Sequence, residues 1–413
     1  MADTSVEGNV SGREDEVNSV LGPYWSDKDT AVIVFVDAQD DVSFARTTDA
    51  GATWNTIEID VGNTKQIACW YDKETPGDTG TLVHILWLDT DGTDARYRTL
   101  DVSDGSLGTQ RVVDISISPA ISQVQNRAAI TKTVGGNLLC AFSTQTEIQC
   151  YRSTDSGVNW TARADVYETA TEEDWVLLYP ADTADNNDAV GIFWDRSANE
   201  ISVKMYDDSA DSWTETSISA SMTDDFKYIN MDWAVRQSDK HIVGAAHNSF
   251  NTTGDDLLTW DLTVDSIASP TVTAKTNIFT NQDSSGQVGV VVNQQNDDVY
   301  VAYLKGGTWD SLVDVVFHKS TDGMVVWGTE QAYGETTDDH RLVRGGRTIS
   351  NAGGRIQWVF YNDDLPEIFV NLVNDIEIAA SAGPQTITPS GLASVEAFGA
   401  HTLSPGPVNV SPS

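Results

Sequence analysis

Basic residues are scarce in this chain: 24 Lys and Arg stand against 62 Asp and Glu among 413 residues, a formal net charge of −38. A surface of that sign repels nucleic acid and anionic membrane, so neither is expected as a partner. Long apolar runs are missing too. No stretch approaches the ~18–20 residues of a membrane span. The opening MADTSVEGNVSGREDE has neither the basic nor the apolar region of an export signal. Synthesis in the cytoplasm, with departure only as part of a particle, is therefore expected. Cysteine is rare, with three in the chain. Cys69 reads as core. Cys140 and Cys150 flank a hairpin symmetrically and are expected to face each other across two strands, either reduced and buried or bonded. The six His show no ligand spacing, and neither a phosphate loop nor a nucleophile elbow is present. No segment has a helical period.

What is present is Asp, Trp and repetition. Two readings account for the acidity. Asp is a favoured turn residue, and a surface depleted of Lys suits high salt, where screening removes self-repulsion. Thirteen Trp and twelve Tyr are ample for a large core. Residues 47–54 read TTDAGATW and 153–160 read STDSGVNW, both matching S/T-x-D-x-G-x-x-W. At 320–327 STDGMVVW keeps Ser320, Asp322 and Trp327 but moves its Gly to 323, while DSADSW at 208–213 keeps Asp208 and Trp213. Such a motif makes a tight hairpin. The carboxylates of Asp49, Asp155 and Asp322 accept backbone N–H bonds two residues on, and Gly51 and Gly157 supply positive φ. Trp54, Trp160, Trp213 and Trp327 open the next strand and bury a large ring beside the turn. With Asp104 and Asp265, the turn carboxylates recur roughly every 51–57 residues.

Between the turns lie short alternating strands such as AVIVFVDA, LVHILWLD, NLLCAFS and VYVAYLK. Four strands in every ~53 residues is the arithmetic of a propeller blade. The expected fold is all-β, a β-propeller of about seven four-stranded blades, with six as the alternative, over residues 1–378. Residues 342–350, 355–362 and 367–374 form a seventh set without an outer strand of its own. The N-terminal segment around 4–12 is expected to supply it and close the ring, with residues 19–25 starting the first blade.

The boxes at 47–54 and 153–160 resemble the Asp-box (BNR) repeats of sialidase-like propellers. That resemblance implies a structural role for Asp49, Asp155 and Asp322 at the blade periphery. Sialidases also carry an early Arg-Ile-Pro segment, an Arg triad for the substrate carboxylate and a Tyr–Glu nucleophile pair. Arg-Ile-Pro is missing here. Arg341, Arg344 and Arg347, followed by Tyr361, are what remains of such a site, and they are carried as a speculative binding set; catalytic residues are assigned to none. The competing function is a sialidase-like glycoside hydrolase.

Clustered carboxylates on a loop suit Ca²⁺. Asp89, Asp91 and Asp94 form one such group and Asp182, Asp185 and Asp188 another, but neither has the spacing of an EF-hand or an RTX repeat, and a solvated acidic turn is the favoured reading, with Ca²⁺ as the alternative. No cofactor is otherwise expected. From residue 379 the composition changes to Pro, Ser and Gly with almost no charge. GPQTITPS at 383–390 returns as GPVNVSPS at 406–413. TITPSGLASVEAFG resembles short repeats of tailed-virus structural proteins through Ile387, Pro389, Gly391, Ala393, Ser394, Glu396, Ala397, Phe398 and Gly399. The resemblance implies a virion component. The expected protein is a non-enzymatic propeller head that binds a host-surface glycan or protein or decorates the particle. Residues 379–413 would anchor it to other virion proteins through Ile387, Leu392 and Phe398, in several copies per assembly.

Overall fold

In the computed structural model the described residues are 4–8, 10, 20–62, 64, 66–89, 93–117, 128–144, 146–170, 174–220, 222, 231–248, 256–280, 284–305, 314–333, 340–346, 348–349, 354–362, 367–371 and 376–378. They belong to one compact unit, Met1–Ser381; a second, Ala382–Ser413, lies outside them. No helix among them is long and apolar enough to cross a membrane.

The unit is a seven-bladed β-propeller of four-stranded antiparallel sheets. Blade 1 is Val20–Trp25, Ala31–Val36, Val42–Thr47 and Asn55–Asp60, numbered from inner to outer strand. Blade 2 begins at Gln66–Tyr71, blade 3 at Ala128–Lys132, blade 4 at Trp175–Pro180, blade 5 at Met231–Arg236 and blade 6 at Ser284–Asn293. Blade 7 has His340–Gly345, Trp358–Asn362 and Glu367–Val370, and its outer strand is the N-terminal Thr4–Glu7. Thr4 pairs with Val370 and Ser5 with Phe369. The ring thus closes as expected, by joining the two ends of one chain in a single sheet. Six blades is excluded.

Burial grades outward along each blade. The inner and second strands of blade 1 are buried at every position, whereas its outer strand is exposed at Asn55–Glu58. Strands buried on both faces read as near-continuous apolar runs rather than alternations, which is why AVIVFV and LLCAFS are so apolar. The core lies between blades. Trp70, Trp87, Trp175, Trp194, Trp233 and Trp358 are all fully buried there.

The repeated turns join third to outer strands. In blade 1 Asp49 Oδ1 accepts the Thr53 N–H (2.9 Å) and the Thr47 hydroxyl (2.8 Å), and Thr47 Oγ1 accepts the Gly51 N–H (2.9 Å). Blade 3 repeats this at Asp155, Ser153, Gly157 and Asn159. Two consecutive positive φ angles make each turn: Ala50 and Gly51, Ser156 and Gly157, Gly323 and Met324. The displaced Gly of blade 6 therefore fills the first slot, and Met324, fully buried, takes the second. In blade 4 the turn carboxylate is Asp207, which accepts the Ala210 N–H (2.8 Å). Asp208, expected in that role, instead pairs with Arg152 of blade 3 at 2.6 Å.

The turn tryptophans reach the preceding blade. Trp160 meets Tyr97 of blade 2 edge-on, with ring centroids 5.4 Å apart. Trp213 Nε1 donates to Ala164 O of blade 3 (3.0 Å) and Trp327 Nε1 to Thr276 O of blade 5 (2.8 Å). Trp54 packs on the cluster containing Phe360 and Phe369 of blade 7. The motif is thus a clasp between blades as well as a turn.

Cys140 and Cys150 do not face each other. Cys140 pairs with Tyr151 and Cys150 with Ala141, so the period of two sends their side chains to opposite faces of the sheet. Both are buried and free, as is Cys69. Burial in apolar surroundings raises the thiol pKa of both Cys140 and Cys150.

One end of the ring axis is capped. The turn Asp72–Glu74 follows the inner strand of blade 2, and Lys73 Nζ donates to Ser26 O of blade 1 (2.6 Å). Asp72 Oδ1 meets Lys132 Nζ of blade 3 (2.6 Å) and His84 Nε2 (3.0 Å). Gln237 of blade 5 donates to Lys73 O, a contact that must cross the ring. Burial raises the pKa of the Asp72 carboxyl, but its contacts with His84 and Lys132 outweigh this and hold it at about 2.

Candidate functional site

The inner strand of blade 7 carries two of the expected arginines. Its register sets Arg341 opposite Tyr361 and Arg344 opposite Val359. Arg341 and Tyr361 are therefore neighbours on adjacent strands, whereas Arg347 lies outside the described residues. Arg236, on the inner strand of blade 5, is bound to Asp239 (2.6 Å) and Asp261 (3.0 Å) of its own blade.

The carboxylates of the acidic turns are engaged by cations or backbone N–H groups of the protein itself. Arg96 lies 3.1 Å from Asp89 and 2.8 Å from Asp94; Asp91 lies outside the described residues. Asp182 pairs with Lys240, Asp185 accepts the Asn187 N–H (3.0 Å) and Asp188 accepts the Asp208 N–H (2.9 Å). Among the described residues no three metal-binding side chains converge. Ile387, Leu392 and Phe398 of the expected anchor also lie outside the described residues.

A groove that sequence reasoning missed runs between the outer parts of blades 3 and 4. Its volume is about 520 Å³, and Asp165, Tyr167, Glu168, Lys204, Asp211 and Trp213 are among its lining residues. That size falls in the ~300–1,000 Å³ span of small-ligand sites. Blade 3 supplies its outer strand Thr161–Tyr167 and the residues just after it. Blade 4 supplies Lys204 from the strand Glu200–Asp207, and the turn that ends at Trp213. The Trp213 indole is pinned across the groove by its bond to Ala164 O, and Tyr167 is half-buried opposite Phe193, their centroids 4.9 Å apart.

Two of the four charged residues lining the groove, Lys204 and Asp211, are already matched. Lys204 Nζ sits 2.9 Å from Glu215 and over the rings of Tyr167 (5.0 Å) and Phe193 (4.8 Å). Asp211 Oδ1 accepts the Ala164 N–H (2.9 Å) and the Tyr206 hydroxyl (3.0 Å) and lies 3.2 Å from Arg163. Asp165 differs. Burial, reinforced by Glu147 and Glu168, pushes its carboxyl up to about 6. A carboxyl of this kind accepts hydrogen bonds from ligand hydroxyl or ammonium groups, and two half-buried aromatic rings beside it offer apolar faces to a ring-shaped ligand.

Only the turn signal at Trp213 marked this place in the sequence. Asp165, Tyr167 and Lys204 sit on strands of two repeats, with no local spacing that joins them.

No protein-family model matches the chain, and no curated protein does. Among solved structures, the fold is similar to a triple arginine-to-alanine variant of AofleA from Arthrobotrys oligospora. Identity is 11% and the TM-score 0.50, with 81% of this chain and 90% of that one covered. It is also similar to an ulvan lyase from a polysaccharide lyase family, at 8% identity and a TM-score of 0.50, covering 89% of this chain and 94% of that one. The likeness is one of fold.

Proposed function

We propose that this chain is a glycan-binding propeller without catalytic activity, displayed on a viral particle as a structural protein. The observation that carries the binding half is the groove between blades 3 and 4. It joins fixed aromatic surface from Trp213 and Tyr167 to a carboxyl, Asp165, that is partly desolvated. Sugars need both kinds of surface: an apolar face for the ring and acceptors for its hydroxyls. The Asp-box-like hairpins belong to the scaffold in this reading, because their carboxylates are consumed by their own turns.

The particle half rests on the sequence of residues 383–399 and its likeness to repeats of tailed-virus proteins. The last described strand, Ile376–Ile378, pairs with Gly354–Ile356, where Arg355 Nε donates to Lys28 O in the first turn of blade 1 (3.0 Å). The strand Ile376–Ile378 therefore lies at the face that bears the Asp turns. A tail with almost no charge attaches through backbone pairing and apolar side chains, and several copies per particle offset the entropy of ordering it. Mass spectrometry of purified particles tests this half. A chain truncated after Ala379 should fold and stay soluble but be missing from particles, and Phe398→Ala should reduce incorporation. Truncated protein present at normal stoichiometry would move attachment to the propeller.

The second reading, a sialidase-like hydrolase, is favoured by one observation, the cross-strand pairing of Arg341 with Tyr361.

A further inference from the structure

We propose that the groove between blades 3 and 4 selects amino sugars in their protonated form over neutral and acidic sugars; this rests on the glycan-binding reading above. The argument is a charge balance by pairs. Lys204 is matched by Glu215 and Arg163 by Asp211. Glu147 is bonded to the neutral amide of Gln149 (2.7 Å). Asp165, Glu168 and Glu147 are then left with no cationic partner among the described residues, and the first two line the groove itself. Tyr167, on the same wall, donates its hydroxyl to Asp195 (3.3 Å), adding a further carboxylate behind the ring.

A ligand carboxylate or sulfate would meet this field with no available cation among the described residues. Lys204 is buried, and its ammonium is held between two rings and Glu215. A neutral sugar would be indifferent to the field. A primary ammonium on a pyranose ring would satisfy Asp165 while the ring lies against Trp213. Desolvation of Asp165 strengthens that contact relative to one in bulk water, and an aromatic face attracts a cation as well.

The partners facing Asp165 also give the pH behaviour. Glu147 and Glu168 repel its charge, and no cation faces it from blade 4, since Lys204 is taken by Glu215. Selectivity should therefore weaken as pH falls below about 6 and Asp165 takes up a proton.

The test is titration calorimetry of the full chain with three probes of equal length: glucosamine oligomers, their fully N-acetylated counterparts and sialyllactose. The expected result near neutral pH is binding of the amine form about fivefold tighter than the acetylated form, the scale of one partly exposed ion pair, with the sialoside weakest. Asp165→Asn should weaken the amine form more than the acetylated form and so abolish the difference between them. Equal affinity for the amine and acetylated forms, or a preference that survives in Asp165→Asn, would overturn the selectivity and leave glycan binding standing. Binding of none of the probes, with an empty screen of a broad glycan array, would overturn the glycan reading itself.

Discussion

Gly157→Ala should be among the most damaging single-methyl changes in the molecule. Gly157 has φ +84°, and an added Cβ would lie 2.0 Å from Tyr97 Cε1 and 2.6 Å from Cζ. The ring cannot move aside cheaply: Tyr97 is buried, its hydroxyl sits 2.7 Å from His84 Nδ1, and Trp160 abuts it. A left-handed backbone costs a non-Gly residue ~1–2 kcal/mol, and overpacking adds ~1–3 kcal/mol. The sum is about 2–5 kcal/mol, or a fall in Tm of about 2–6 °C for a chain of this size. Gly323 is the control. Its φ is +71°, nothing lies within 4 Å of its added Cβ, and Ala50 and Ser156 already occupy the equivalent slot. Gly323→Ala should therefore cost about 1 kcal/mol, from the backbone alone. The assay is thermal melting followed by tryptophan fluorescence, checked by urea unfolding with an unchanged slope. Equal losses in the two variants would refute the claim that the Gly157 turn is wedged against the neighbouring blade.

Deleting residues 1–8 removes the strand Thr4–Glu7 and leaves blade 7 with three strands; calorimetry should show a large loss of stability and size-exclusion chromatography new association through the exposed edge. Asp165→Asn should stabilise the protein at pH 8 and do little at pH 4. The folded carboxyl titrates at about 6 against an ordinary 3.8, so its favourable term is present below about 4 and is lost as pH rises through 6. Melting curves at the two pH values check this, and a variant less stable at pH 8 would contradict it. A fluorogenic sialoside should not be hydrolysed; turnover that disappears in Tyr361→Phe would promote the hydrolase reading.

The architecture was legible because a propeller writes itself as a period. Asp49, Asp155 and Asp322 mark equivalent turns, and the odd segment at 4–12 has a use only if the last blade lacks a strand. Local detail was less legible. Asp207 rather than Asp208 closes the blade 4 turn because register, which a short motif does not encode, decides which carboxylate reaches Ala210. Met324 takes a slot that Gly fills elsewhere because its side chain joins an apolar cluster between blades 5 and 6 that contains Phe279 and Tyr303. Cys140 and Cys150 looked symmetric about their turn, yet the pairing is offset by one residue, which reverses a face. The groove was invisible for a deeper reason. Its residues come from two repeats and meet only through blade packing, so neither composition nor periodicity brings Asp165 to Trp213.

A crystal structure of the full chain soaked with a bound oligosaccharide tests the central claim most directly. The account predicts a sugar ring between the outer strands of blades 3 and 4, against Trp213 and Tyr167, with an amine or hydroxyl on the Asp165 carboxyl. A sugar found instead at the inner strand of blade 7, beside Arg341 and Tyr361, would contradict it.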